Sequence, residues 1–121
     1  MGFGQSLLAG GVRAELLAEG SITADGSLQT VLEVTGLGSP TKIFGWIYLT
    51  NMDVGDEVVI QTYIQDSSGN WHRHANEIFN DAQQHPAVYL EERAVIHGYK
   101  VLLQQTKGTY RNYPYEFYKE G

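Results

Sequence analysis

The sequence predicts an all-β protein: an antiparallel β-sandwich of jelly-roll type, with about eight strands and an apolar N-terminal arm. Three observations predict it. Turn signals recur about every eight to twelve residues from Gly20 onward. No helical periodicity continues beyond residue 18, and Asp53-Val54-Gly55-Asp56-Glu57 leads directly into an apolar alternating run. An immunoglobulin-like sandwich is the second architecture compatible with this pattern. At 121 residues the chain has the length of one domain, able to bury about two-thirds of its unfolded surface.

The elements follow in order. Residues 1–18 form the expected arm, and residues 19–121 the sandwich domain. The arm is apolar, and Leu8, Val12 and Leu16 recur at helical spacing, so a short helix is expected there. Gly10 and Gly11 interrupt that stripe at about 1 kcal/mol each against alanine, so the helix would need a surface to dock on. Ser21 to Ala24 reads as a short strand, and Asp25-Gly26 as a two-residue hairpin turn. Leu28, Thr30, Leu32 and Val34 alternate with polar residues, with Val31 as the exception.

Thr41 to Thr50 is apolar on both alternating faces, Ile43, Ile47 and Leu49 on one and Phe44, Trp46 and Tyr48 on the other. Val58, Ile60, Thr62 and Ile64 mark the core face of the next strand, and Asp66 to Asn70 a surface turn. Strands are expected from Trp71 to Phe79, briefly from Ala87 to Glu91, and from His97 to Thr106. The last segment, Tyr110 to Tyr118, is expected to be less regular.

Composition excludes several function classes. There is no cysteine, so disulfides and thiolate metal sites are absent. The net charge is −6 and the basic residues are spread singly from Arg13 to Lys119, so neither nucleic acid nor an anionic membrane surface is an expected partner. The N-terminal apolar run has no basic start and is broken by glycine, unlike a signal peptide or a membrane span, and the chain reads as soluble.

No catalytic residue is expected, and no cofactor. There is no nucleophile elbow, and Gly36-x-Gly38 precedes a strand where a phosphate loop would precede a helix. His72 and His74 are two apart, which on a strand places both imidazoles on one face, with Glu77 and His97 as further ligand candidates. The spacing departs from the His-x-His pattern of cupin-type enzymes, and a solvated polar strand is the favoured reading, so no metal is assigned. Asp53 and Asp56 read as turn formers, outside any calcium-loop spacing.

The functional question lies in the second apolar face of Thr41 to Thr50, which needs a cover: another chain, the arm, or a ligand such as a sugar. Leu7, Leu8, Val12, Leu16 and Leu17 of the arm, with Phe44, Trp46 and Tyr48, are the candidate interface residues. Trp46 and Trp71 are the candidate sugar platforms, and a glycan is the alternative partner to a second copy of the chain.

The segments Gly20-Ser21-Ile22-Thr23-Ala24-Asp25-Gly26-Ser27-Leu28-Gln29-Thr30 and Leu103-Gln104-Gln105-Thr106-Lys107-Gly108-Thr109-Tyr110 resemble small virion structural proteins of tailed phages and related archaeal viruses. The resemblance covers residues 20–118. It implies a compact sandwich whose N-terminal arm reaches a neighbouring subunit, a capsid-associated or decoration role in the virion, and assembly as a homo-oligomer, often a trimer, beside other virion proteins. It implies no enzymatic activity and carries over no site residue.

Overall fold

The computed structural model describes residues 14–120, which form eight strands and no helix: β1 (Glu15–Thr23), β2 (Gln29–Val34), β3 (Thr41–Tyr48), β4 (Glu57–Gln65), β5 (Trp71–Asn80), β6 (Ala87–Val95), β7 (Gly98–Lys107) and β8 (Asn112–Glu120). Their pairing is nested. β4 pairs with β5, β3 with β6, β2 with β7 and β1 with β8, all antiparallel, so the chain is one long hairpin. That hairpin is rolled on itself by two further antiparallel contacts, β3 with β8 and β4 with β7. The result is two four-stranded sheets, ordered β1-β8-β3-β6 and β2-β7-β4-β5, the double-sheet arrangement of a jelly roll.

The period-two pattern explains which residues lie between the sheets. Ile43 and Ile47 of β3, Tyr113 and Phe117 of β8, Val58 and Ile60 of β4, and Tyr99, Val101 and Leu103 of β7 are all buried. Each aliphatic side chain removed from water contributes about 1.5–3 kcal/mol. Gly45 lies on the inward side of β3 because β8 passes too close for a side chain. A Cβ there would overlap the Glu116 carbonyl oxygen and the Phe117 ring.

One end of the sandwich is held by buried polar groups. The Asp56 carboxylate, 2% exposed, accepts from the Asp53 and Thr109 backbone N–H groups and from Arg111 Nε at 2.8 Å. Burial by itself would raise the Asp56 pKa. The Arg111 bond and the two backbone donors outweigh it and hold the group below its ordinary value. Beside it the buried Gln105 amide donates to the Lys107 and Thr109 carbonyls and accepts from Arg111 N–H and the Tyr113 hydroxyl. Together these satisfy the turn between β7 and β8 and join it to the turn before β4. Gly108 in that turn has φ +90°, and a Cβ there would run into Asp56.

Several expectations are corrected. β1 begins at Glu15, so residues 15–18 are strand and Leu16 belongs to no helix; Leu7, Leu8 and Val12 lie outside the described residues. Asp25-Gly26 does not close a hairpin. β1 and β2 lie in different sheets, and the turn carries the chain across the sandwich, with Asp25 accepting from Ser27 N–H and Oγ. Val31 departs from the alternation because the register with β7 shifts between Thr30 and Leu32, which buries Val31 and Leu32 together. β6 runs on to Val95, and β8 is a regular strand paired on both sides, its irregular look coming from Pro114 and a tyrosine-rich composition.

Candidate functional site

The outer face of the β1-β8-β3-β6 sheet is covered by no other layer of the described chain. β3 presents Phe44, Trp46 and Tyr48 there, because its inward positions are taken by Ile43, Gly45 and Ile47. Register then sets their neighbours. Phe44 lies opposite Tyr118 of β8, and Trp46 lies between Glu116 of β8 and Tyr89 of β6. The rings form two adjoining clusters on this face, joined through Glu116, which bonds the Tyr48 and Tyr118 hydroxyls. Phe44 stacks on Tyr118 with centroids 5.6 Å apart, Trp46 meets Tyr89 at 4.8 Å, and Trp46 and Tyr48 are 6.5 Å apart and only 15° from parallel.

The polar ends of these rings are tied down within the face. Glu116 accepts from both the Tyr48 and the Tyr118 hydroxyls, each at 2.6 Å. The bond to Glu116 pushes the Tyr48 phenol up to about 12 and also raises Tyr118, while the bonds from Tyr118 and then Tyr48 lower Glu116. Tyr89 donates to Glu91 at 2.9 Å, and Glu91 in turn pairs with Arg93 at 2.7 Å. Lys42 pairs with Glu120 and lies 5.0 Å over the Phe44 ring. The strip therefore offers ring surface whose phenols are already bonded, with charged pairs at its border.

The expected interface residues separate. Leu16 is half exposed and lies opposite Tyr118, extending the strip onto β1. Leu17, next to outward-facing Leu16, packs against the core of its own domain, as does Ala18 beyond the register shift. Tyr118, one of the sequence's aromatic candidates, completes the face together with Tyr89 and Glu116, which the sequence does not mark. The available signal was β6, where Val88 and Leu90 flank Tyr89 in a second run apolar on both faces.

The two histidines do not converge. His72 Nε2 bonds Asp66 at 2.8 Å in the turn before β5, and His74 Nε2 bonds Glu92 of β6 at 3.0 Å. His74 is the additional residue where the register between β4 and β5 shifts, and it bonds across to β6 while His72 is held by the turn before β5. Among the described residues no three His, Cys, Asp or Glu side chains are grouped to hold a metal ion. Trp71 is set apart from the strip, with the Lys100 ammonium 4.5 Å over its ring.

No family model and no curated protein matches the chain. Among solved structures it is similar to a chain of the infectious bursal disease virus VP2 subviral particle and to a chain of the infectious bursal disease virus Gt strain. In each case the TM-score is 0.51 at 11% sequence identity, covering 90% of this chain and 32% of that one. A weaker likeness, TM-score 0.38 at 12% identity over 88% of this chain and 94% of the other, is to a xylan-binding domain from Paenibacillus barcinonensis. The chain spans about a third of the length of the viral proteins it matches. At this identity the likeness is one of fold alone.

Proposed function

We propose that this chain is a non-enzymatic, self-assembling structural protein of a virion, and that a second copy packs on the outer face of the β1-β8-β3-β6 sheet. The observation that carries the reading is the set of Leu16, Phe44, Trp46, Tyr48, Tyr89 and Tyr118 on one sheet face that no other layer of the described residues covers. Buried aromatic anchors with their polar ends already satisfied are what the centre of an interface needs.

Magnitude limits the role of the strip. A stable interface buries about 800 Å² per partner, and a fully buried aromatic side chain about 150–250 Å². Rings already half covered supply the centre of such an interface, and the rim must come from elsewhere, for which the apolar residues Leu7, Leu8 and Val12 are suited. The fold shared with capsid proteins of infectious bursal disease virus supports the same reading, as does the resemblance to decoration-type virion proteins. A capsid-associated location and a trimer are the finer parts of this proposal.

Light scattering on the full chain, compared with Trp46→Ser and with a form lacking residues 1–13, tests it. An oligomer that loses mass in both variants while circular dichroism stays unchanged supports the proposal. A full chain that is monomeric at every concentration sinks it.

A second reading rests on Trp46 and Tyr48, whose nearly parallel rings form a platform on which a sugar ring can stack. It requires that Trp46→Ala abolish binding on a glycan panel, and a panel with no binder ends it.

A further inference from the structure

The sandwich is open along one side, between β5 and β6, the edge strands of its two sheets. A cavity of about 230 Å³ lies in this gap, away from the outer aromatic strip except where Tyr89 and Glu91 border both. Its inner wall is Ile60, Phe79, Val88 and Leu90, which pack on the core. Polar groups surround that wall: Thr62 and Tyr99 at the back, Glu77 and His74 from β5, Glu91 and Glu92 from β6.

Thr62 is the informative residue. It is 5% exposed, lines the cavity, and its hydroxyl oxygen has no hydrogen-bond partner. Burial raises the neighbouring Tyr99 phenol and the Thr62 hydroxyl beside it acts the other way, though among the described residues the hydroxyl meets no hydrogen-bonding geometry. A buried hydroxyl left unpaired is unfavourable, and a bound polar group would recover that loss. Two of the carboxylates are already matched, Glu92 by His74 at 3.0 Å and Glu91 by Arg93 at 2.7 Å.

Among the described residues the cleft therefore keeps Glu77 and the second Glu92 oxygen as acceptors, with hydroxyls able both to donate and to accept, beside an apolar wall. Anions are disfavoured by the carboxylates. A ligand hydroxyl, itself donor and acceptor, suits this mixture, and the apolar wall suits a carbon ring face. The volume is below the roughly 300–1,000 Å³ of sites for drug-sized ligands, so the occupant is compact.

We propose that the β5–β6 cleft binds a single neutral polyhydroxylated ring, of the size of one sugar residue, with Thr62 and Glu77 bonding its hydroxyls and Phe79 and Leu90 contacting its apolar face. This site adjoins the aromatic face only at Tyr89 and Glu91 and does not depend on self-assembly.

The test is a nitrogen–proton NMR titration of the full chain with glucose, galactose, mannose, xylose and N-acetylglucosamine, with cadaverine as a cationic control. Thr62→Val keeps the side-chain shape and removes the unpaired hydroxyl, so the fold should survive it. Glu77→Gln removes the acceptor charge at an exposed position. Expected are saturable shifts from at least one sugar confined to β5, β6 and the neighbouring parts of β4 and β7. Each variant should weaken that binding about tenfold, or 1.4 kcal/mol. The proposal is overturned if no sugar shifts the cleft, if the shifts centre on Trp46 and Tyr48, if only cadaverine binds, or if sugar affinity is unchanged in both variants.

Discussion

The Tyr48 hydroxyl on β3 donates to Glu116 Oε2 on β8 at 2.6 Å, across two strands that neighbour each other in the sheet but lie 68 residues apart in sequence. The bond fixes the outer end of the aromatic strip and leaves a titration signature. The Tyr48 phenol stands at about 12 against an ordinary 10.0, so the stabilisation it lends is complete below about pH 10 and is lost as pH rises through about 12. In Glu116→Gln the charge is gone, and the Tyr48 ring carbon NMR shift should titrate back toward the ordinary value. An unchanged midpoint in that variant would refute the assignment.

Asp66 carries the opposite sign. Its carboxylate bonds His72 and the backbone N–H groups of Ser68 and Asn70, which lowers it from 3.8 to about 2, the His72 bond being the largest cause. The stabilisation is therefore complete above the unfolded value of 3.8 and is lost as pH falls toward about 2. Asp66→Ala should melt below the parent at about pH 5, and the gap should close as the solution is acidified through that window. A gap independent of pH would show that the carboxylate charge is not what holds the turn.

Asp56 should be among the most sensitive polar positions. Asp56→Ala leaves Arg111 Nε and two backbone donors without their acceptor, at a cost of about 3 kcal/mol. Denaturant unfolding should show the midpoint falling with the slope unchanged. A loss below about 1 kcal/mol would mean that water replaces the carboxylate without penalty.

Gly45→Ala tests the close approach of β3 and β8. The added methyl group overlaps the Glu116 carbonyl and the Phe117 ring, and relieving it requires the two strands to part, at about 3 kcal/mol. Because Glu116 anchors Tyr48, the same substitution should disturb the tyrosine titration described above. Thermal stability equal to the parent would contradict the register of this pair.

Much of this was legible in the sequence because one physical rule governs it. Alternation along β3, β4 and β7 identified Ile43, Ile47, Val58, Ile60, Tyr99, Val101 and Leu103 as one face, and all are buried. The same rule placed Phe44, Trp46 and Tyr48 together on the opposite face. It failed where a strand carries an additional residue. Val31 lies at a register shift, where two residues oppose one and the period of two is lost locally. The Asp25-Gly26 turn was misread because local turn chemistry is the same whether the next strand pairs with the previous one or crosses to the other sheet.

The sequence by itself determined the all-β class, the strand count and the doubly apolar character of Thr41 to Tyr48, since period and turn chemistry are local properties. Only the tertiary structure decided the neighbours. Tyr89, Tyr118 and Glu116 joined Trp46 through pairings with β6 and β8 that span some 40 to 75 residues of chain. Thr62, His74, Glu77 and Glu92 came to line one cleft because rolling the hairpin leaves the edges of β5 and β6 facing each other. Side-chain neighbourhoods across strands depend on register and closure, and neither is written in any single segment.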